Sequence, residues 1–311
     1  MEKEPRLAIE SIAGQRPYQE DSVLAESLPD GRLLVAVADG MGGHAAGEVA
    51  SALALETLVA ALQEGQALDE AFTTANSSVN AKAAEPGKQG MGTTLVAALI
   101  EDGEYMIANV GDSRGYLLSG EGIRQLTDDH SFVAEAMKRG QTEAEAMATP
   151  WKDALTRSIG TEESVEVDVF GPFPVVDDTA LLLCSDGLYK TLSDEDLRKI
   201  FLLSEEPGGS AQSLVSSAFE SGSDDNISVV IAEYGTVPRD AAQATLIMSY
   251  VPDAEDDPGV VDSGEAHTPA PTVPQVDAQV ETSARSSTSF GVIAAIVIAV
   301  AALVAFLVLI G

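Results

Sequence analysis

A single cysteine, Cys184, stands among 311 residues, which excludes any internal disulfide and any cysteine-based zinc cluster. Histidine is almost as scarce at three residues, so a metal site in this chain would draw on oxygen ligands. Basic residues are also few. Seventeen Lys and Arg face fifty Asp and Glu, a formal charge of −33, and a nucleic-acid reader needs a basic footprint that this balance does not supply. The N-terminal MEKEPRLAIE has no apolar core, so no secretory signal peptide is expected there. The length allows one large domain or two small ones, with ample chain for a buried core.

What the chain does have is a long apolar run near its end. Residues 290–310, FGVIAAIVIAVAALVAFLVLI, carry no charge, proline or amide. As a helix the run spans about 31 Å, the thickness of a bilayer's hydrocarbon core, and is expected to cross the membrane once. Arg285 just before it agrees with positive-inside placement, which puts the preceding residues in the cytoplasm. Residues 236–289 are rich in Pro, Asp, Ser, Thr and Ala and read as an acidic disordered linker with a root-mean-square span of about 40 Å. One apolar island within it, residues 244–251, is able to dock on a folded surface or to be plain spacer.

Residues 1–235 are then the folded unit, with 41 acids against 15 bases. Strands are expected at Leu7–Ala13, Ser22–Ser27, Arg32–Val37, Thr93–Ile100, Glu104–Asn109, Arg114–Leu118, Thr179–Cys184 and Ile227–Tyr234. Helices are expected at Ala45–Leu62, Leu68–Ala83, Ser193–Leu203 and Ser210–Glu220. Strands come in groups separated by paired helices, which favours a layered α+β architecture over regular βαβ alternation.

The placement of the acids is the informative feature. Asp39, Asp112, Asp186 and Asp225 each sit beside Gly, Ser or Asn at the edge of an apolar strand. One such residue is ordinarily a turn acid satisfying nearby amides. Four that converge would cost many kcal/mol unless cations neutralised them, so convergence implies bound metal. Oxygen ligands favour Mg²⁺ or Mn²⁺. Glu20-Asp21 adds an acidic pair, Arg16 adds a fork able to grip a phosphate, and the glycines of DGMGGHAAG permit close backbone approach.

These motifs, in order, are RPYQED from Arg16 to Asp21, DGMGGH from Asp39 to His44, GTT at Gly92–Thr94, GDSR at Gly111–Arg114, LTDDHS from Leu126, SDGL from Ser185 and Asp225-Asn226. Together they resemble the bacterial metal-dependent type 2C protein serine/threonine phosphatases, over residues 5–234. The resemblance implies a four-layer α-β-β-α sandwich with a binuclear Mn²⁺ or Mg²⁺ centre where the sheets meet. By the same resemblance Asp39 bridges both ions, Glu20 and the Gly40 carbonyl hold one, and Asp186 and Asp225 hold the other. Asp21 would hold water in an outer layer, Asp112 would help form a third and weaker metal site with Asp186, and Arg16 would bind phosphate. Two such ions can bridge a water, make it hydroxide near neutral pH and aim it at phosphorus.

Implied substrates are phosphorylated proteins, including the Ser/Thr protein kinases that such enzymes oppose. Eukaryotic members carry a histidine directly after the DG pair, whereas this chain has Met41, with His44 three residues on, so the general acid stays open. His130 is expected to be structural. Residues 132–160 resemble the family's flap, with Thr149-Pro150 where relatives often read His-Pro. Two alternatives remain: a phosphatase of a sigma-factor pathway, and a non-catalytic pseudophosphatase binding module, which would be expected to have lost metal ligands that are all present here.

Overall fold

The computed structural model describes residues 4–42 and 46–239, all within Met1–Ala254, the first of the chain's two units. His44, the island at 244–251, most of the linker and the apolar run at 290–310 lie outside the described residues.

Strands buried on both faces build this fold. In β3 (Leu33–Met41) the odd positions Leu33, Val35 and Val37 enter one apolar cluster, and the even positions Leu34, Ala36 and Ala38 enter another. The same split occurs in β10 (Thr179–Cys184) and β11 (Ile227–Tyr234): Leu181, Leu183, Val230 and Ala232 point into the cluster shared with β3, and Leu182, Cys184, Val229 and Ile231 point away from it. A strand with two buried faces reads as a continuous apolar run, because each face packs on a separate layer.

One sheet runs β1 (Arg6–Ile12), β11, β10, β7 (Arg114–Ser119), β8 (Ile123–Gln125). The other runs β2 (Asp21–Ser27), β3, β5 (Leu95–Glu101), β6 (Glu104–Val110), β9 (Asp168–Pro174), with the two-residue β4 (Gly92–Thr93) paired to β3. All pairings are antiparallel. The cluster shared by β3, β5, β6, β10 and β11 lies between the sheets. Helices α1 (Ala46–Gln63) and α2 (Leu68–Ala83) cover the outer face of the second sheet through Ala50, Ala54, Leu58, Phe72 and Val79. Helices α6 (Asp194–Phe201) and α7 (Pro207–Glu220) cover the first through Leu197, Phe201, Leu214 and Ala218. The order is helix, sheet, sheet, helix, as the resemblance implies. Among the described residues α1 is the one helix long and apolar enough to cross a membrane, and half of that stretch is buried within the fold.

Several elements depart from the expectations. The strand expected at Thr93–Ile100 is interrupted at Thr94, where the chain leaves β4 and enters β5. Strand β9 contains Gly171-Pro172, which argues against a strand in sequence; it is tolerated because β9 is the sheet edge and pairs with β6 alone. Between β8 and β9 stand two short helices, α3 (Phe132–Lys138) and α4 (Glu143–Met147), within the stretch that resembles the family's flap, and α5 (Asp186–Tyr189) follows β10.

The boundary at 235 is too early. Val237 is fully buried, its N–H donates to Glu233 Oε1 at 2.9 Å, and Thr236 N–H donates to Asp178 at 3.0 Å. Arg239 pairs with the fully buried Glu233 at 3.2 Å and stacks on Phe201 with its Cζ 4.6 Å from the ring centre. The packed chain therefore runs at least to Arg239, because a buried glutamate needs this second cation beside Arg6.

Candidate active site

Antiparallel registration gathers the acids at one end of the sandwich. Asp21 opens β2 directly opposite Asp39 near the end of β3. Ile12 pairs with Ile227, so Asp225 lies just before β11 at the same end, and Asp186 follows β10 two residues past the Cys184–Val229 pair. The two sheets are stitched there by Ser185, whose hydroxyl donates to Asp21 Oδ2 at 2.8 Å and accepts from Ser228 N–H at 3.0 Å.

Asp39 is held by its backbone. Its N–H donates to Thr94 Oγ1 at 2.9 Å, and its carbonyl accepts from Thr94 N–H at 2.8 Å and from Thr93 Oγ1 at 2.9 Å. This is why the GTT stretch breaks the strand: Thr94 serves Asp39 instead of continuing a ladder. Gly40 and Gly47 allow α1 to start against the site. A Cβ at Gly47 would stand 2.7 Å from both Glu20 Oε1 and the Gly40 carbonyl oxygen, so any side chain there would fill the space in front of two proposed ligands. Asn226 fixes the other edge. Its amide donates to the carbonyls of Ala13 and Tyr18 at 2.9 Å each, and its side-chain oxygen accepts from Glu20 N–H at 2.8 Å.

The electrostatics follow from this packing. Burial, then the charges of Asp21, Asp186, Asp112 and Asp225, raise the Asp39 carboxyl well above the usual range. Asp21 is pushed up to about 7 by burial against the hydrogen bonds it receives, and Asp112 to about 7 by burial and Asp186. Burial also raises Glu20 and Asp225. Two carboxylate oxygens, Asp21 Oδ1 and Asp186 Oδ1, are buried with no hydrogen-bond partner. Two cations face six acids: Arg16 donates to Asp225 Oδ2 at 2.7 Å and to the Asp224 carbonyl at 2.8 Å, and Lys190 pairs with Asp186.

Glu20, Asp21, Asp39, Asp112, Asp186 and Asp225 are thus gathered at one end of the sandwich. Among the described residues, no three His, Cys, Asp or Glu side chains converge tightly enough to hold an ion as placed; Arg16 and Lys190 engage Asp225 and Asp186 instead. The cluster nevertheless fits divalent cations by its chemistry: an all-oxygen donor set, two unpartnered buried carboxylate oxygens, and an Asp39 carboxyl that resists ionisation because of burial and of the acids around it.

Other motif residues are supports. Arg114 of GDSR holds Asp129 through both carboxylate oxygens, at 2.7 to 3.2 Å, and lies 3.5 Å from the centre of the Tyr189 ring. His130 is buried; Gly111 N–H donates to its Nδ1 at 3.1 Å, leaving Nε2–H for Asp168 Oδ2 at 3.1 Å. Burial lowers its pKa, so the ring is a neutral clamp between the Asp112 loop and β9. Thr93, Thr94, Ser185 and Asn226 lie in the quoted motifs but receive no role from them, and Lys190 is missed altogether. The spacing Asp186-x-x-x-Lys190 is the one signal that could have found it.

The protein phosphatase 2C family profile matches residues 12–216. The serine/threonine phosphatase stp of Listeria monocytogenes serotype 4b is 40% identical over 231 residues, covering 70% of this chain and 91% of its own length. PstP of Mycobacterium tuberculosis is 37% identical over 251 residues, 78% of this chain and 47% of its own. The M. tuberculosis PstP/Ppp crystal structure superimposes with a TM-score of 0.67 at 36% identity, covering 75% of this chain and 100% of that one. The PstP catalytic domain in complex with two manganese ions gives 0.62 at 35%, covering 75% and 98%. Sandwich, acid cluster and relatives agree, and the chain belongs to the protein phosphatase 2C family as a bacterial-type serine/threonine protein phosphatase.

Proposed function

We propose that this phosphatase hydrolyses phosphoserine and phosphothreonine in proteins with the help of divalent cations, Mn²⁺ or Mg²⁺, held in the acid cluster. The observation that carries the reading is Asp39, partly buried directly opposite the buried Asp21 and within the field of Asp186, Asp112 and Asp225. A like-charged cross-strand pair is destabilising, and a buried one calls for positive charge. The relative PstP crystallised with two manganese ions supports the choice of metal. When bound, the cations would supply Lewis-acid stabilisation and activate water for in-line attack at phosphorus.

The chain's own residues do the rest. Asp39, Glu20 and the Gly40 carbonyl would hold one ion, and Asp39, Asp186 and Asp225 the other. Thr93 and Thr94 fix Asp39 through its backbone, so its carboxyl is oriented without a mobile hinge. Asp21, held by the Ser185 hydroxyl in its buried position, would orient water. Arg16 stands half exposed at the rim, paired with Asp225, where its guanidinium would meet phosphoryl oxygens with charge-assisted hydrogen bonds. Kinases of the Ser/Thr class are among the phosphoproteins it acts on, and residues 290–310 anchor it to the membrane with the catalytic domain cytoplasmic.

Assay of a phosphothreonine peptide in EDTA and after Mn²⁺ or Mg²⁺ addition tests the chemistry: activity is expected only with metal, and full turnover in EDTA overturns the proposal. Fractionation of cells tests the anchor: full-length protein in the salt-washed soluble fraction would refute it.

A further inference from the structure

The acid cluster contains a second cation besides Arg16, which pairs with Asp225: Lys190, which pairs with Asp186. Helix α5 starts at Asp186 immediately after its N-cap, Ser185, so Lys190 lies one turn beyond Asp186 on the same helical face. Its Nζ pairs with Asp186 Oδ2, whereas Asp186 Oδ1 is buried and unpartnered. The two oxygens of one carboxylate therefore have different tasks. Tyr189 docks this turn on the next loop: its hydroxyl donates to the Asp112 carbonyl at 2.9 Å, and its ring lies under the Arg114 guanidinium. With α5 so placed, the Lys190 ammonium is within electrostatic reach of both Asp186 and Asp112.

Given the metal reading above, on which this rests, we infer that Lys190 is a tethered cation that neutralises the Asp112 and Asp186 side of the cluster, in the place where a third divalent ion would otherwise bind. Asp186 Oδ1 remains for the two-ion centre, and Asp112 is compensated by the chain itself. A fixed ammonium and a divalent ion cannot share the same oxygen without strong repulsion at this separation, so the lysine sets the number of ions the cluster takes. Its side chain is 44% exposed, so the ammonium sits at the rim of the cluster while it pairs with Asp186.

The test is a count of bound Mn²⁺ on the full-length protein, by electron paramagnetic resonance of free Mn²⁺ in equilibrium titrations, for wild type, Lys190→Gln and Lys190→Arg. Circular dichroism confirms that each variant is folded. Wild type and Lys190→Arg are expected to take up two ions tightly. Lys190→Gln is expected to take up a third, bound about tenfold or more tighter than any third ion on wild type. Adding Asp112→Asn to Lys190→Gln is expected to remove that extra ion. Equal counts and affinities in wild type and Lys190→Gln, or an extra ion that survives Asp112→Asn, would overturn the inference. Absence of Mn²⁺ from wild type itself would instead overturn the metal reading, and this inference with it.

Discussion

Asp21 and Asp39 face each other across the β2–β3 ladder as a directly opposed pair, Asp21 buried and Asp39 partly so, at the end of the sandwich where the acids gather. Two carboxylates in that relation repel, and the fold accommodates them because Ser185 donates to one and the backbone of the other is clamped by Thr93 and Thr94. The strain is tolerated at the site where it is used.

Asp39→Asn is expected to lower kcat by about three orders of magnitude or more while leaving the fold intact, since it removes a ligand charge from both proposed ion positions without changing shape. Single-turnover and steady-state kinetics at saturating Mn²⁺, with circular dichroism as the control, check this. A kcat near wild type would remove Asp39 from the mechanism.

Arg16→Ala is expected mainly to raise KM for phosphopeptides, by about tenfold or more, because its guanidinium binds oxygens already charged in the ground state. Arg16 also pairs with Asp225, so a modest loss of kcat is expected too. A fall in kcat at constant KM would assign it a role confined to the transition state.

The metal-free protein is expected to lose stability as pH rises. Asp21 and Asp112 have folded-state values near 7, well above the ordinary value of 3.8, so between these limits the folded state binds more protons than the unfolded. Their stabilising contribution is complete below about pH 4 and is lost as pH climbs through 7. Thermal melting in EDTA from pH 5 to 8 should show a falling Tm, and Mn²⁺ should flatten the curve. A Tm that rises across this window in EDTA would show that the cluster is not the controlling set of groups.

Truncation after Gly235 is expected to destabilise the domain by about 2–4 kcal/mol relative to truncation after Arg239, because Glu233 loses one of its two cations while staying buried. Urea melts of the two soluble fragments make the comparison. Equal midpoints would mean that the Val237–Arg239 strap contributes nothing and that the domain ends at Gly235 after all.

Much of this protein is legible in the order of its residues. Continuous apolar runs such as LLVAVAD announce strands buried on both faces, and the acids at their ends mark the site, because a carboxylate next to a buried strand must be neutralised by something. These are local signals, carried by residues within a few positions of one another. The tertiary structure alone decides what depends on partners far away in sequence. Asp21 and Asp39 are eighteen positions apart, yet only the register of β2 on β3 makes them a pair. Arg114 turns to Asp129 and Tyr189, Asn226 ties the loop before Glu20 to β11, and Glu233 draws Arg239 into the fold past the expected boundary. Edge strand β9 escapes a reading by pattern because its Gly-Pro pair is a fault only in a strand with two neighbours. In sequence Lys190 shows only its spacing from Asp186; the docking of α5 on the Asp112 loop places its charge in the cluster, and no pattern along the chain records how two sheets stack.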